Sequence, residues 1–68
     1  MVCYVNNTPH EATENQLLLD LLTGLGQTTQ TRGLAVAVND TVVPRADWPT
    51  HAVQPHDRIL LIRATQGG

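Results

Sequence analysis

The residues equipped for chemistry are few: one thiol, three imidazoles, six carboxylates and a terminal Gly67-Gly68 pair. Cys3 lies in a run with strand character, on its core-facing side. It reads as a buried packing residue, because free cysteine is among the most buried residue types. As the only cysteine it excludes an internal disulfide and a zinc site built on several thiolates. His10, His51 and His56 match none of the standard metal-ligand spacings, and no Cys or carboxylate is placed to complete a tetrahedral set. They read as surface or turn histidines. Asp47 and Asp57 fall in turn-like stretches, where carboxylates bond local backbone N–H groups, and neither resembles half of an acid–base pair.

Gly67-Gly68 is the remaining candidate. Residues without side chains thread a narrow channel and let backbone and partner approach closely. The reactive group is then the Gly68 carboxylate, a poor acyl donor at neutral pH. Its expected activation is adenylation by a partner that binds ATP and magnesium, followed by attack of a sulfur nucleophile. The product is a terminal thiocarboxylate, ionised near neutrality and a good sulfur nucleophile. The pair follows a core strand by a few residues, so a rigid body would present it at a fixed reach.

That body must be small. At 68 residues the chain makes one domain and is too short for an autonomous multi-step enzyme. Apolar residues are 41% and charged ones 15%, a globular balance, and the apolar set is almost wholly aliphatic: nine Leu, seven Val and two Ile against one Trp, one Tyr and no Phe. A charge of -2 with four Arg and no Lys offers no basic patch for a nucleic-acid backbone. The longest apolar run, Leu34 to Val38, is far short of the roughly 18 residues of a spanning helix, and a signal-peptide plan is absent. A soluble, cytoplasmic protein without nucleic-acid or membrane partners is expected.

Val2 to Asn6 alternates as a strand, with Met1, Cys3 and Val5 on one side and Val2, Tyr4 and Asn6 on the other; Asn7-Thr8-Pro9 turns the chain, and His10 to Ala12 returns as a short second strand. Thr13 with Gln16 fits a capping box and Asn15 is an alternative N-cap, so a helix starts here. Leu17, Leu18, Leu21, Leu22 and Leu25 share an arc of roughly 140°, the width of a stripe packed on a sheet, with Leu19 and Asp20 outside it. Gly24 and Gly26 end the helix, and Gln27 to Gly33 reads as a mobile loop.

Leu34 to Val38 resumes β character, with Leu34, Val36 and Val38 toward the helix and Ala35 and Ala37 away. Asn39-Asp40 makes a tight hairpin turn into Thr41 to Val43, which Pro44 stops. Arg45 to Pro49 reads as one turn carrying Trp48 inward, and Gln54-Pro55-His56-Asp57 as a second turn. The last strand runs from Arg58 to about Ala64, with Ile59 and Leu61 on one face and Leu60 and Ile62 on the other. Two hairpins thus flank one helix, and the first and last strands are central and parallel. The expected class is α+β, a ubiquitin-like β-grasp: a mixed sheet of four or five strands crossed by one helix over residues 1–64, with a flexible Gly-Gly tail over 65–68. Tyr4, Leu60 and Ile62 alternate away from the helix, and an open aliphatic face of this kind is a candidate docking surface.

The run Val38-Asn39-Asp40-Thr41-Val42-Val43-Pro44-Arg45, then Trp48, His51-Ala52-Val53-Gln54, Asp57-Arg58-Ile59-Leu60-Leu61 and the closing Gly67-Gly68 closely resembles the ThiS family of sulfur carriers of thiamine biosynthesis. The likeness covers essentially the whole chain, and Asn6, Gln16, Leu21 and Leu22 sit where the family would place them. It implies that Gly68 is adenylated by an E1-like adenylyltransferase and converted to a C-terminal thioglycine, with sulfur from a persulfide-carrying donor, and that thiazole synthase accepts it. It also implies that ATP and magnesium belong to the activating partner and that this chain binds no cofactor or metal. One departure stands out: the family usually has Gly-Asp before the last strand, where this chain has His56-Asp57. If that turn requires positive φ, His56 is modestly strained.

Three alternatives share parts of this pattern. The molybdopterin-synthase small subunit has the same fold and chemistry but is usually longer, with an aromatic and proline-rich segment where this chain has Arg63-Ala64-Thr65-Gln66. A ubiquitin-like modifier would pass Gly68 to other proteins, although without Lys it cannot build lysine-linked chains of itself. An unmodified docking module would have no chemistry at Gly68.

Overall fold

The computed structural model describes residues 1–27 and 30–63. In chain order the elements are β1 (Val2–Val5), β2 (Thr8–Glu11), α1 (Leu18–Gly24), β3 (Leu34–Val38), β4 (Thr41–Val43), a 3-10 turn (Arg45–Asp47) and β5 (Arg58–Arg63). The five strands form one sheet in the order β2-β1-β5-β3-β4. β1 and β5 run parallel, and every other neighbouring pair is antiparallel. This is the expected β-grasp arrangement, with the tail-bearing strand at the centre. Ala64, where the last strand was expected to end, and residues 65–68 lie outside the described residues, as does the middle of the expected 27–33 loop.

Both hairpins are closed by two residues in left-handed conformation: Asn6 and Asn7 at φ 50° and 68°, Asn39 and Asp40 at φ 51° and 71°. Short polar side chains tolerate that region, and two such residues match the strand twist. The first hairpin therefore turns earlier than the Asn7-Thr8-Pro9 reading. β2 starts at Thr8, and Pro9 pairs with Tyr4 on an edge strand, where a missing N–H leaves no gap in the sheet.

The helix begins later than its local signals suggest. Gln16 Oε1 does accept the Thr13 N–H at 3.1 Å, and Gln16 N–H donates to the Thr13 carbonyl at 3.1 Å. Asn15 at φ 58° breaks the run, however, and Leu17 is extended and bridges to Ala52. Leu17 is accordingly half-exposed and outside the helical stripe. The first helical N–H groups are met by distant carbonyls: Leu18 donates to His51 at 2.7 Å and Leu19 to Trp48 at 3.0 Å. Leu19 packs partly buried against the core, although helical phase alone puts it outside. Gly24 is the last helical residue and Gly26, at φ 84°, is the left-handed one. Gly26 N–H donates to Thr23 and Gln27 N–H to Leu22, the Schellman closure.

A seven-residue helix is unstable alone and is held by packing. Leu18, Leu21 and Leu22 meet Cys3, Val36, Val38, Val53, Ile59 and Trp48 in one core on a single side of the sheet. Trp48 is fully buried, and its Nε1–H donates to the Val43 carbonyl at 2.9 Å, so the ring carries no orphaned donor. Arg45 lies over that ring at 5.4 Å and donates from its guanidinium to the carbonyls of Leu34 (2.9 Å) and Thr31. It ties the exit of β4 to the entry of β3.

Candidate functional site

The face of the sheet opposite α1 has no covering layer among the described residues. Alternation along β5 sends Ile59 into the core and leaves Leu60 and Ile62 47% and 44% exposed. β1 contributes Tyr4 to the same face, β3 contributes Ala37 and β4 contributes Val42, which is 63% exposed. Together they line an open groove of about 440 Å³, rimmed by Asn6, Asn7, Asp40 and Arg58. The structure thus brings together Tyr4, Leu60 and Ile62, and adds Val42 and Ala37. Val42 was legible in the sequence: it stands one residue out of phase with Val43, which faces the core.

At the rim Arg58 Nη2 lies 3.4 Å from Asp40 Oδ2, both side chains largely exposed, a pairing worth at most about 1 kcal/mol. A groove apolar at its centre and polar at its edge has the composition of a protein interface.

The turn before β5 fixes where that strand starts. Pro55 precedes His56 at φ 66°, so the strain expected at His56 is present. His56 N–H donates to the Val2 carbonyl at 2.7 Å. Asp57 is buried; its Oδ2 accepts the Gln54 N–H at 2.8 Å and its Oδ1 accepts Asn39 Nδ2–H at 2.9 Å. Asn39 Oδ1 in turn accepts the Arg58 N–H at 2.9 Å. The carboxylate expected to serve the turn does so and also ties it to the β3–β4 hairpin. At Asp47 the local bonds go to the main-chain carbonyl, which accepts from Thr50 and His51.

Cys3 is fully buried. Burial first, and the Asp57 carboxylate second, push its thiol above the ordinary thiol range, so it stays protonated at neutral pH and is a poor nucleophile. Among the described residues no group of three or more His, Cys, Asp and Glu side chains is placed to hold a metal ion, and no helix is long and apolar enough to cross a membrane.

At the far end β5 is paired with β3 as far as Arg63, five residues before Gly68. Gly67 and Gly68 themselves lie outside the described residues.

The chain is 36% identical over 63 residues to the sulfur carrier protein ThiS of Escherichia coli strain K12, a match covering 93% of this chain and 92% of that protein. The crystal structure of the thiamine biosynthesis protein ThiS from Geobacter metallireducens matches over 100% of both chains with a TM-score of 0.83 at 24% identity. A solution structure of the thiamine biosynthesis protein from the same organism gives a TM-score of 0.76, also at 24% identity, covering 100% of this chain and 88% of that one. Those two likenesses speak for the fold. The sequence match is independent of them and runs the length of the sheet and past β5: the ThiS family model matches residues 3–68, and the chain belongs to the ThiS family.

Proposed function

We infer that this chain is a sulfur carrier of thiamine biosynthesis, a protein cosubstrate on which partner enzymes act and not itself an enzyme. The observation that carries this reading is the family match, which extends through Gly68. Two features of the fold support it. The central strand is anchored as far as Arg63, and the five residues beyond it span at most about 18 Å, so Gly68 has a bounded reach from the groove. The one thiol of the body is buried and protonated, which leaves the terminal carboxylate as the site for sulfur.

In this mechanism an E1-like activating enzyme, holding ATP and magnesium, joins the Gly68 carboxylate to AMP and releases pyrophosphate. The terminal sulfur of a donor persulfide displaces AMP, and a thiol cleaves the resulting S–S bond to leave the thiocarboxylate. Thiazole synthase then accepts the sulfur. Tyr4, Leu60 and Ile62, with Val42 and Ala37 beside them, form the docking surface for these partners. The chain contributes recognition and placement, and the chemistry of activation belongs to the enzymes.

Intact-mass measurement of the protein from its host, trapped with an alkylating reagent, tests this. A population with one carboxyl oxygen replaced by sulfur is expected under thiamine limitation. Covalent adducts to other proteins would identify a modifier instead, and an unmodified mass would identify a passive docking module. A chain lacking Gly68, or extended past it, should keep its melting temperature and lose adenylation. Thiazole synthesis supported by either variant would overturn the reading.

A further inference from the structure

The tail-bearing strand is held differently on its two sides. Against β3 its pairing runs to Arg63, opposite Leu34. Against β1 the register ends at Val5–Ile59, because β1 then enters its hairpin. Asn6 N–H still donates to the Ile59 carbonyl at 2.9 Å. In a continuing parallel ladder the next bond would join Leu61 N–H to the main-chain carbonyl of Asn6. At φ 50° Asn6 has already turned toward Asn7, and Leu61 N–H donates instead to Asn6 Oδ1 at 2.8 Å. The carboxamide thus takes the place of a strand residue. Asparagine suits the position twice, since it tolerates the left-handed backbone that closes the hairpin and carries a carbonyl on a short side chain.

We propose that Asn6 is a positioning residue for the transfer at Gly68: its side chain extends the β1–β5 ladder by one step and fixes the direction in which the chain leaves the sheet. The proposal rests on the carrier reading above. Without the carboxamide, the main chain of β5 beyond Ile59 keeps, among the described residues, only its ladder with β3, with Leu61 packed on the core, so the terminal carboxylate would sample more directions once the groove has docked. Misplacement of a reacting group costs rate even where binding is unchanged.

Asn6→Gly removes the acceptor and keeps the left-handed turn without strain, while Asn6→Asp keeps both an acceptor and the turn. Amide exchange at Leu61 and steady-state adenylation by the activating enzyme are measured for each, alongside thermal unfolding. For Asn6→Gly the Leu61 amide should exchange on the order of fivefold faster than wild type, as loss of one hydrogen bond implies. Its kcat should fall about threefold or more, by a larger factor than any rise in KM from the loss of a rim side chain, and Asn6→Asp should restore Leu61 exchange and kcat. Unchanged Leu61 exchange, or faster exchange with wild-type kcat, would overturn the proposal. So would a loss of kcat that follows global unfolding instead of Leu61 exchange. A wild-type chain that is never adenylated would remove the carrier reading, whereas the exchange result would still report whether the tether exists.

Discussion

His56→Gly should raise stability, because His56 sits at φ 66° in an exposed turn where its side chain crowds the following carbonyl. The left-handed region costs an L-residue about 1–2 kcal/mol, and histidine, which visits it more readily than most, belongs at the lower end. Glycine relieves that strain but brings a more flexible unfolded chain, a loss of about 0.4–1 kcal/mol. The difference favours the variant by about 0.5 kcal/mol. An unfolding entropy near 2.1 cal/mol/K per residue gives about 0.14 kcal/mol/K for 68 residues, so the melting temperature should rise by about 3–4 °C. Glycine keeps the main-chain bond from position 56 to Val2, which needs no side chain. His56→Val, with a branched Cβ in the same backbone region, should lower the melting temperature instead. Thermal unfolding followed by circular dichroism reads both. Adenylation should be unaffected, because the turn enters β5 at the end opposite the tail. A glycine variant no more stable than wild type, paired with a tolerated valine, would show that the turn does not require the left-handed backbone.

Ile62→Asp should raise the KM for adenylation more than tenfold while moving the melting temperature little, since the side chain is already 44% exposed. Completing the burial of a half-exposed isoleucine is worth about 1 kcal/mol, and desolvating a carboxylate adds to the loss. Wild-type kinetics for this variant would remove the groove as a docking surface. Cys3, with its thiol pushed upward by burial and by Asp57, gives a pH signature. The folded state holds the proton more tightly than the unfolded one, so this contribution to stability is full below the ordinary thiol pKa, near 9.0, and is lost as pH rises through the folded value. Cys3→Ala should flatten the stability profile on the alkaline side and leave sulfur transfer intact; loss of transfer in a folded Cys3→Ala protein would place sulfur chemistry on the body.

Strand phase was legible because the sheet has one buried face, which makes a two-residue repeat unambiguous: Cys3, Val36, Val38 and Ile59 all fall where alternation puts them. The helix start was not legible. Thr13 and Gln16 carry the local capping signal and make one of its bonds, yet the helix waits for carbonyls supplied by His51 and Trp48, some thirty residues away in sequence. A non-local partner of that kind leaves no trace in the spacing of nearby residues. Asn6 is a similar case: alternation reads it as the end of the first strand, whereas its backbone is already left-handed at φ 50° and its side chain bonds a partner 55 residues away.

The same single-layer sheet explains how so short a chain holds a core and an open surface together. Each strand residue is committed by its parity: Ile59 meets the core, while Leu60 and Ile62 are left to the groove. A one-residue slip of β5 would exchange the two sets, burying the groove residues and exposing the core residues, and would also move the start of the tail by about 3.3 Å. Register therefore serves stability, docking and tail placement at once. The contacts that pin it lie at the start and in the middle of the strand, Asp57 with Asn39 before Arg58 and Asn6 at Leu61. Their polar side chains lie in turns that precede or interrupt the strands, where carboxamide and carboxylate groups can replace ladder bonds that a turning backbone cannot make.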